Sequence, residues 1–217
     1  MRKCLVLLLY MLVTSCSNSV TESENNKDFI MPLAVGNSWS FEDLPAPGFT
    51  GDTTSYTLTI IKDTMMTLNI ESALEIGRWY RVTGFAQNTS QYLSNRPNGL
   101  WQVLFYDDAI LGKVTIINRL AEFPAAVGDT FMQPFPPPLQ SGTALVEVIS
   151  TDSTVTVPAG TFTCLVYRFS LASTGRLLID AYYAPGIGRI KIDYYELAPS
   201  NNSVTTISRL TGYIVAE

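Results

Sequence analysis

The chain has 217 residues, 14 of them basic against 19 acidic, and contains no histidine. An acidic chain with no basic run offers nothing to a phosphate backbone or an anionic lipid surface, so nucleic acid is set aside as a partner. Without histidine, Ser-His-Asp and Cys-His nucleophile systems cannot be assembled within the chain, nor can histidine-based zinc or iron sites.

Arg2 and Lys3 make a short positive start, and Leu5 through Val13 form an uninterrupted apolar run. Nine residues are too few for a spanning helix, which needs roughly 20. They have the length and order of a secretory signal followed by a small-residue site. That site, Val13-Thr14-Ser15-Cys16, resembles the lipobox of bacterial lipoproteins. The resemblance implies cleavage between Ser15 and Cys16, diacylation of the Cys16 thiol with palmitate-type chains, and an acylated new amino terminus. Several chains are needed because burial adds only about 0.8 kcal/mol per CH₂.

Residues 1–15 thus read as a lipoprotein signal peptide, and 16–28 as a lipidated cysteine with a polar tether too poor in apolar surface to fold. Ser17 is not the aspartate that resembles an inner-membrane retention signal, so the expected address is the outer membrane of the cell envelope, on either face. Loss of Arg2 and Lys3 leaves 12 basic and 19 acidic residues, a net charge of −7. Cys4 leaves with the signal and Cys16 carries lipid, so Cys164 is the one thiol of the body and no internal disulfide forms there. In TFTCLVYRF it reads as a buried, inert core residue.

The body, 29–217, is all-β. In SYTLTIIK, Tyr56, Leu58 and Ile60 point one way and the intervening Ser and Thr the other; in GRIKIDYY, Ile190, Ile192 and Tyr194 oppose Arg189, Lys191 and Asp193. Half-buried patterns of this kind suit antiparallel sheets. LWQVLFY (100–106) and RLLIDAYY (176–183) are apolar on both faces, as in strands that are covered or line a cavity. Pro97-Asn98-Gly99, Pro158-Ala159-Gly160 and Pro185-Gly186 supply the reversals. Ser72 to Ile76 is at most one helical turn. The expectation is an antiparallel meander of about 10–12 strands from two tandem similar halves, forming a barrel, half-barrel or sandwich.

The halves, about 29–121 and 122–217 of a single body, announce themselves by MPLAVGNSW at 31–39 and FPAAVGDTF at 123–131. Pro32 and Pro124 set the approach, Gly36 and Gly128 permit a tight turn, and Trp39 or Phe131 opens a strand into the core. YDDAILGKVTI (106–116) also aligns with YYAPGIGRIKI (182–192), which contains Gly186 and Gly188. With VPAGTF and its Gly160, this ordered set is similar to a broad group of uncharacterised exported bacterial lipoproteins sharing PLxVGxxW, VPAGTF and YYAPGxGxxK motifs. The resemblance implies an envelope location and an all-β fold, and it carries no catalytic residues.

Few residues invite chemistry. Asp107-Asp108 reads as a solvated hairpin end, or a weak calcium site without the spacing to support it. Asp180, Asp193 and Glu196 could serve a glycoside hydrolase only if two of them converge. Asp180, set in an apolar strand, pairs with an arginine such as Arg168 or lines a pocket. Trp79, Trp101, Tyr182 and Tyr195 are candidate binding aromatics, against a plainer role in packing. Phe135 to Pro138 reads as a stiff spacer. The leading expectation is a non-catalytic envelope lipoprotein, with no cofactor or metal, that binds a protein or glycan and touches the membrane through its lipid. The alternatives are a carrier of an apolar ligand in a β cavity and a carboxylate-only hydrolase.

Overall fold

The computed structural model describes residues 28–84, 89–108, 112–135, 142–196 and 203–215. Ser15, Cys16, nearly all of the tether and Pro136–Pro138 lie outside them. Twelve strands and no helix make up the described residues: β1 (Ser38–Pro45), β2 (Thr54–Ile70), β3 (Ala73–Thr83), β4 (Thr89–Arg96), β5 (Gly99–Asp108), β6 (Gly112–Ala121), β7 (Thr130–Phe135), β8 (Gly142–Val157), β9 (Gly160–Leu171), β10 (Leu177–Ala184), β11 (Gly188–Tyr195) and β12 (Val204–Ile214). All belong to one antiparallel sheet, ordered β6-β5-β4-β3-β2-β1-β12-β11-β10-β9-β8-β7. Two six-strand meanders are therefore joined by the pairing of the first strand with the last. The sheet curls until its outermost strands, β6 and β7, stand side by side, giving a nearly closed barrel.

The duplication is visible in the backbone. Gly36 donates to the Ile60 carbonyl at 2.8 Å, Asn37 to Ala34 at 3.1 Å, and Ile60 to Asn37 at 2.9 Å. In the second half Gly128 donates to Val148 at 2.8 Å, Asp129 to Ala126 at 3.1 Å, and Val148 to Asp129 at 2.9 Å. Both glycines lie in the left-handed region, at φ 97° and 92°, where a side chain is strained. The side chains of the next residue cap the same turn with opposite polarity: Asn37 Nδ2 donates to the Pro32 carbonyl, whereas Asp129 Oδ2 accepts from the Ala126 N–H. A bulge follows at matching places, after Ile60 and after Val148.

The second sequence match needs correcting. YDDAILGKVTI spans the β5–β6 hairpin, but YYAPGIGRIKI spans β10–β11, whose counterpart by strand order is β4–β5. Alternating strands around a glycine turn read alike wherever they occur, so the wrong hairpin was matched.

The main core gathers Trp39, Phe41, Leu58 and Ile60 with Val146, Val148, Tyr167, Ile190 and Leu210 from the second half. Cys164 is in it, fully buried, and burial pushes its thiol up to about 12. A satellite core explains why β5 is apolar on both faces. The far end of β2, with Met66, Leu68 and Ile70, folds over Trp79, Trp101 and Val103. Its hairpin turns at Glu71 and Ser72, both at positive φ, so Ser72 to Ile76 enters strand β3 and forms no helical turn. The register of β11 also departs from simple alternation. Arg189 and Lys191 face the adjacent residues Tyr183 and Tyr182, so one extra residue bulges out and turns Arg189 toward the core face. There its guanidinium lies 4.2 Å from the Phe41 ring centroid and donates to Tyr56 Oη at 2.6 Å.

Candidate functional site

Five of the candidate residues, Arg168, Asp180, Tyr182, Asp193 and Tyr195, converge on the face of β9–β11 opposite the Tyr183 side. Register sets Arg168, Asp180 and Asp193 in one row across three strands. Arg168 grips Asp180 with both arms, Nε to Oδ1 at 2.9 Å and Nη2 to Oδ2 at 2.8 Å, and Tyr195 Oη donates to Oδ2 at 2.8 Å. Such bidentate charge-assisted pairs are among the strongest hydrogen bonds. The hydrogen bonds to Asp180 hold the Arg168 guanidinium protonated beyond its ordinary range, while burial and then the Asp180 contact raise the Tyr195 phenol to about 12.

One strand over, Tyr182 Oη and Lys191 Nζ both donate to Asp193 Oδ2, at 3.1 and 2.9 Å. Burial, then the Asp193 charge, raises the Tyr182 phenol as well. Asp193 Oδ1 is buried without a protein partner among the described residues. The two aspartates are only 3% and 7% exposed. Asp180 and Asp193 are register partners on β10 and β11, each held by protein donors, and Tyr182 and Lys191, which hold Asp193, also border an open groove. Glu196 stands at the strand's end, bonded through its N–H to Ser203.

Two open grooves flank the sheet. One, about 420 Å³, runs between residues 153–157 of β8 and the surface formed by Tyr182, Lys191, Ile207 and Arg209. Its wall is hydroxyl-rich and carries two paired cations: Lys191 on Asp193 and Arg209 on Glu42, the latter at 2.6 Å. The other, about 540 Å³, is walled by Phe29, Pro32, Leu33, Ile76, Arg78, Tyr80 and Arg96. Arg96 pairs with Glu75, lies 5.1 Å over the Trp79 ring, and has its pKa lowered by burial. A Cβ at Gly77 would stand 2.9 Å from Arg96 Nη2, so any larger residue there would displace the guanidinium.

The candidate aromatics divide. Tyr182 and Tyr195 are half-buried with their hydroxyls committed to aspartates, and Tyr182 borders a groove. Trp79 is fully buried and Trp101 is 4% exposed, its Nε1 donating to Asn98 Oδ1. Neither tryptophan offers a ring to solvent. Asp107-Asp108 closes the β5–β6 hairpin opposite Lys113 and Gly112, and their side chains lie outside the described residues.

Sequence reading missed the junction at the start of the body. Gly186 donates to the Phe29 carbonyl, Asn95 Nδ2 donates to the Met31 carbonyl, and Met31 packs against Gly188, where any Cβ would be 2.8 Å away. Trp39 Nε1 donates to Ile187 in the same turn. The first residues of the body thus clamp the two halves together. The glycines of YAPGIG were the available signal, since two so close mark backbone approached by something else.

No protein-family model and no curated protein sequence matches this chain. Among solved structures, it is similar to a putative lipoprotein from Parabacteroides distasonis ATCC 8503, at 16% identity and a TM-score of 0.41, over 86% of this chain and 99% of that one. It is likewise similar to a putative exported protein with YmcC-like fold from Bacteroides fragilis NCTC 9343, at 16% identity and a TM-score of 0.40 over the same shares.

Proposed function

We propose that the chain is a lipid-anchored, non-catalytic protein of the bacterial cell envelope, held at the outer membrane, whose body binds a protein or glycan at its surface. The observation that carries this reading is the filled interior. Trp39, Phe41 and Tyr167 are buried to within 2% where a carrier would need space, and the two grooves described open outward. The groove beside Tyr182 suits a hydroxylated ligand, with Ser and Thr hydroxyls opposite a half-buried ring and two cations. The donors held on Asp180 and on Asp193 Oδ2 favour binding over hydrolysis, which requires one carboxyl free to protonate a leaving group.

Native mass spectrometry of the body, begun at Ser17 and purified gently from a bacterial periplasm, tests the reading. A bare polypeptide mass is the expected result. A discrete extra mass released on denaturation would move the carrier ahead. The address is tested separately: Cys16→Ala should leave an unprocessed, unlipidated precursor, and normal processing of that variant would remove the anchor.

A further inference from the structure

The β2–β3 hairpin is covered on one face and bare on the other. Met66, Leu68 and Ile70 turn inward onto Trp79. On the opposite face, register sets Met65 beside Arg78, Thr67 beside Ile76, and Asn69 beside Leu74. Met65, Leu74 and Ile76 are 61%, 78% and 72% exposed, an unusual density of large apolar side chains on one hairpin. A contiguous exposed apolar patch marks a contact surface.

Phe29, 48% exposed, shares a groove wall with Ile76, so the patch reaches the point where the chain enters the body. Thirteen residues, Cys16 through Asp28, separate that point from the acyl chains that the anchored reading puts on Cys16. A polar segment of this length has a root-mean-square span of roughly 20 Å. The tether root, and the patch beside it, are therefore kept within about a bilayer leaflet's thickness of the headgroups, at a high effective concentration. Arg78, 63% exposed and 3.5 Å from Asp63, stands at the patch edge, where its remaining N–H groups can meet a phosphate.

We infer that the Phe29–Leu74–Ile76 face seats the body on a phospholipid surface, with the lipid anchor rooted at the same edge. The inference rests on the anchored reading above. Because the body is acidic, the fitting surface is zwitterionic, of the phosphatidylethanolamine kind. Seating there leaves the groove beside Tyr182 for the bound partner.

The test replaces the native anchor, so that its outcome does not depend on Cys16 processing. The chain from Ser17 carries an amino-terminal hexahistidine and is held on phosphatidylethanolamine–phosphatidylcholine vesicles containing a nickel-chelating lipid. In a Cys164→Ala background, Leu74→Cys carries an environment-sensitive nitrobenzoxadiazole dye; Met132→Cys, also exposed, on β7, is the reference. The expected result is a severalfold rise and blue shift at position 74 on tethering, reversed by imidazole, with position 132 unchanged. Equal responses at the two positions would overturn the inference. So would a concentration-dependent rise at position 74 without vesicles, which would assign the patch to a second copy of the chain. Both positions are exposed, and circular dichroism of the labelled variants confirms that each is folded.

Discussion

The barrel has two seams related by the internal duplication, and they are closed by different forces. Where β1 meets β12, eight backbone positions pair from Ser38–Ile214 to Pro45–Thr206, interrupted by one register shift between Ser40 and Phe41. Where β6 meets β7, side chains do the joining. With its amide turned to satisfy both ends, Asn118 donates to the Pro134 carbonyl at 3.3 Å, and Arg119 lies 4.4 Å over the Phe131 ring. Two substitutions between the halves account for the difference. Position 42, glutamate on β1, is matched by Pro134 on β7, and Phe41 by Gln133. A strand residue points its N–H and carbonyl to the same side, so Pro134 shows β6 an acceptor but no donor, and a ladder cannot propagate. The buried Gln133 Oε1 also lacks a partner among the described residues, where Phe41 fills the core. One seam is part of the fold; the other is a sheet edge blunted by proline and tied by a few contacts.

Truncating the equivalent aromatics gives the largest separation. Trp39→Ala removes a fully buried indole and its bond to Ile187, and should cost about 5 kcal/mol. Phe131→Ala, at the looser seam, should cost about 3 kcal/mol. Urea unfolding of both measures this, and a costlier Phe131 variant would break the comparison. Asn118→Leu comes next. It removes the bond from the buried Asn118 side chain to the Pro134 carbonyl, a loss of about 1 kcal/mol, and native-state amide exchange should quicken along β6 and β7 but not along β12. Uniform quickening would mean that the seam is not a separate unit.

A third tie comes from outside the seam. Tyr167, on β9, donates its hydroxyl to the Glu122 carbonyl in the β6–β7 connection. Burial, then Tyr183 and Glu122, raise this phenol well above 10. The folded state therefore keeps a proton that the unfolded chain gives up near pH 10. Stability from this group is complete below that pH and is lost as pH rises further. Tyr167→Phe should cost about 1 kcal/mol at neutral pH and flatten the alkaline decline in urea midpoint. Cys164 contributes its own decline from about 9 toward 12, which the variant leaves in place. An unchanged alkaline slope in Tyr167→Phe would remove the hydroxyl from the seam.

How much of this was readable beforehand differs by kind of signal. Period-2 alternation and proline–glycine turns showed an all-β meander, and the PxAVG motif showed its duplication, because both are local and repeated. The Arg168–Asp180 pair was legible because an ionised aspartate in an apolar strand needs a partner. The fate of Trp79 and Trp101 was not, since it depends on β2 folding over its own sheet. Nor was the turn at Glu71-Ser72, which holds two positive φ angles without the glycine or asparagine that normally mark one. Bulges such as the one that turns Arg189 inward leave no trace in alternation until the partner strand is known.

The smallest effect sharpens the contrast most. At the zipped seam Arg209 Nε reaches Glu42 Oε1 at 2.6 Å, a contact that looks stronger than anything between β6 and β7. Both side chains are partly exposed, at 40% and 23%, so water and salt compete for them. The strands beneath are already joined by backbone hydrogen bonds, which the ion pair does not hold in place. Glu42→Gln should therefore cost under about 1 kcal/mol, less than the neutral Asn118 contact does at the other seam. The ranking reverses what bond length and charge suggest, because a side chain matters to a seam in proportion to the backbone bonding it replaces. Urea midpoints for Glu42→Gln and Asn118→Leu at low and high salt decide it. A larger loss at Glu42, shrinking with salt, would show that electrostatics and not the ladder closes the first seam.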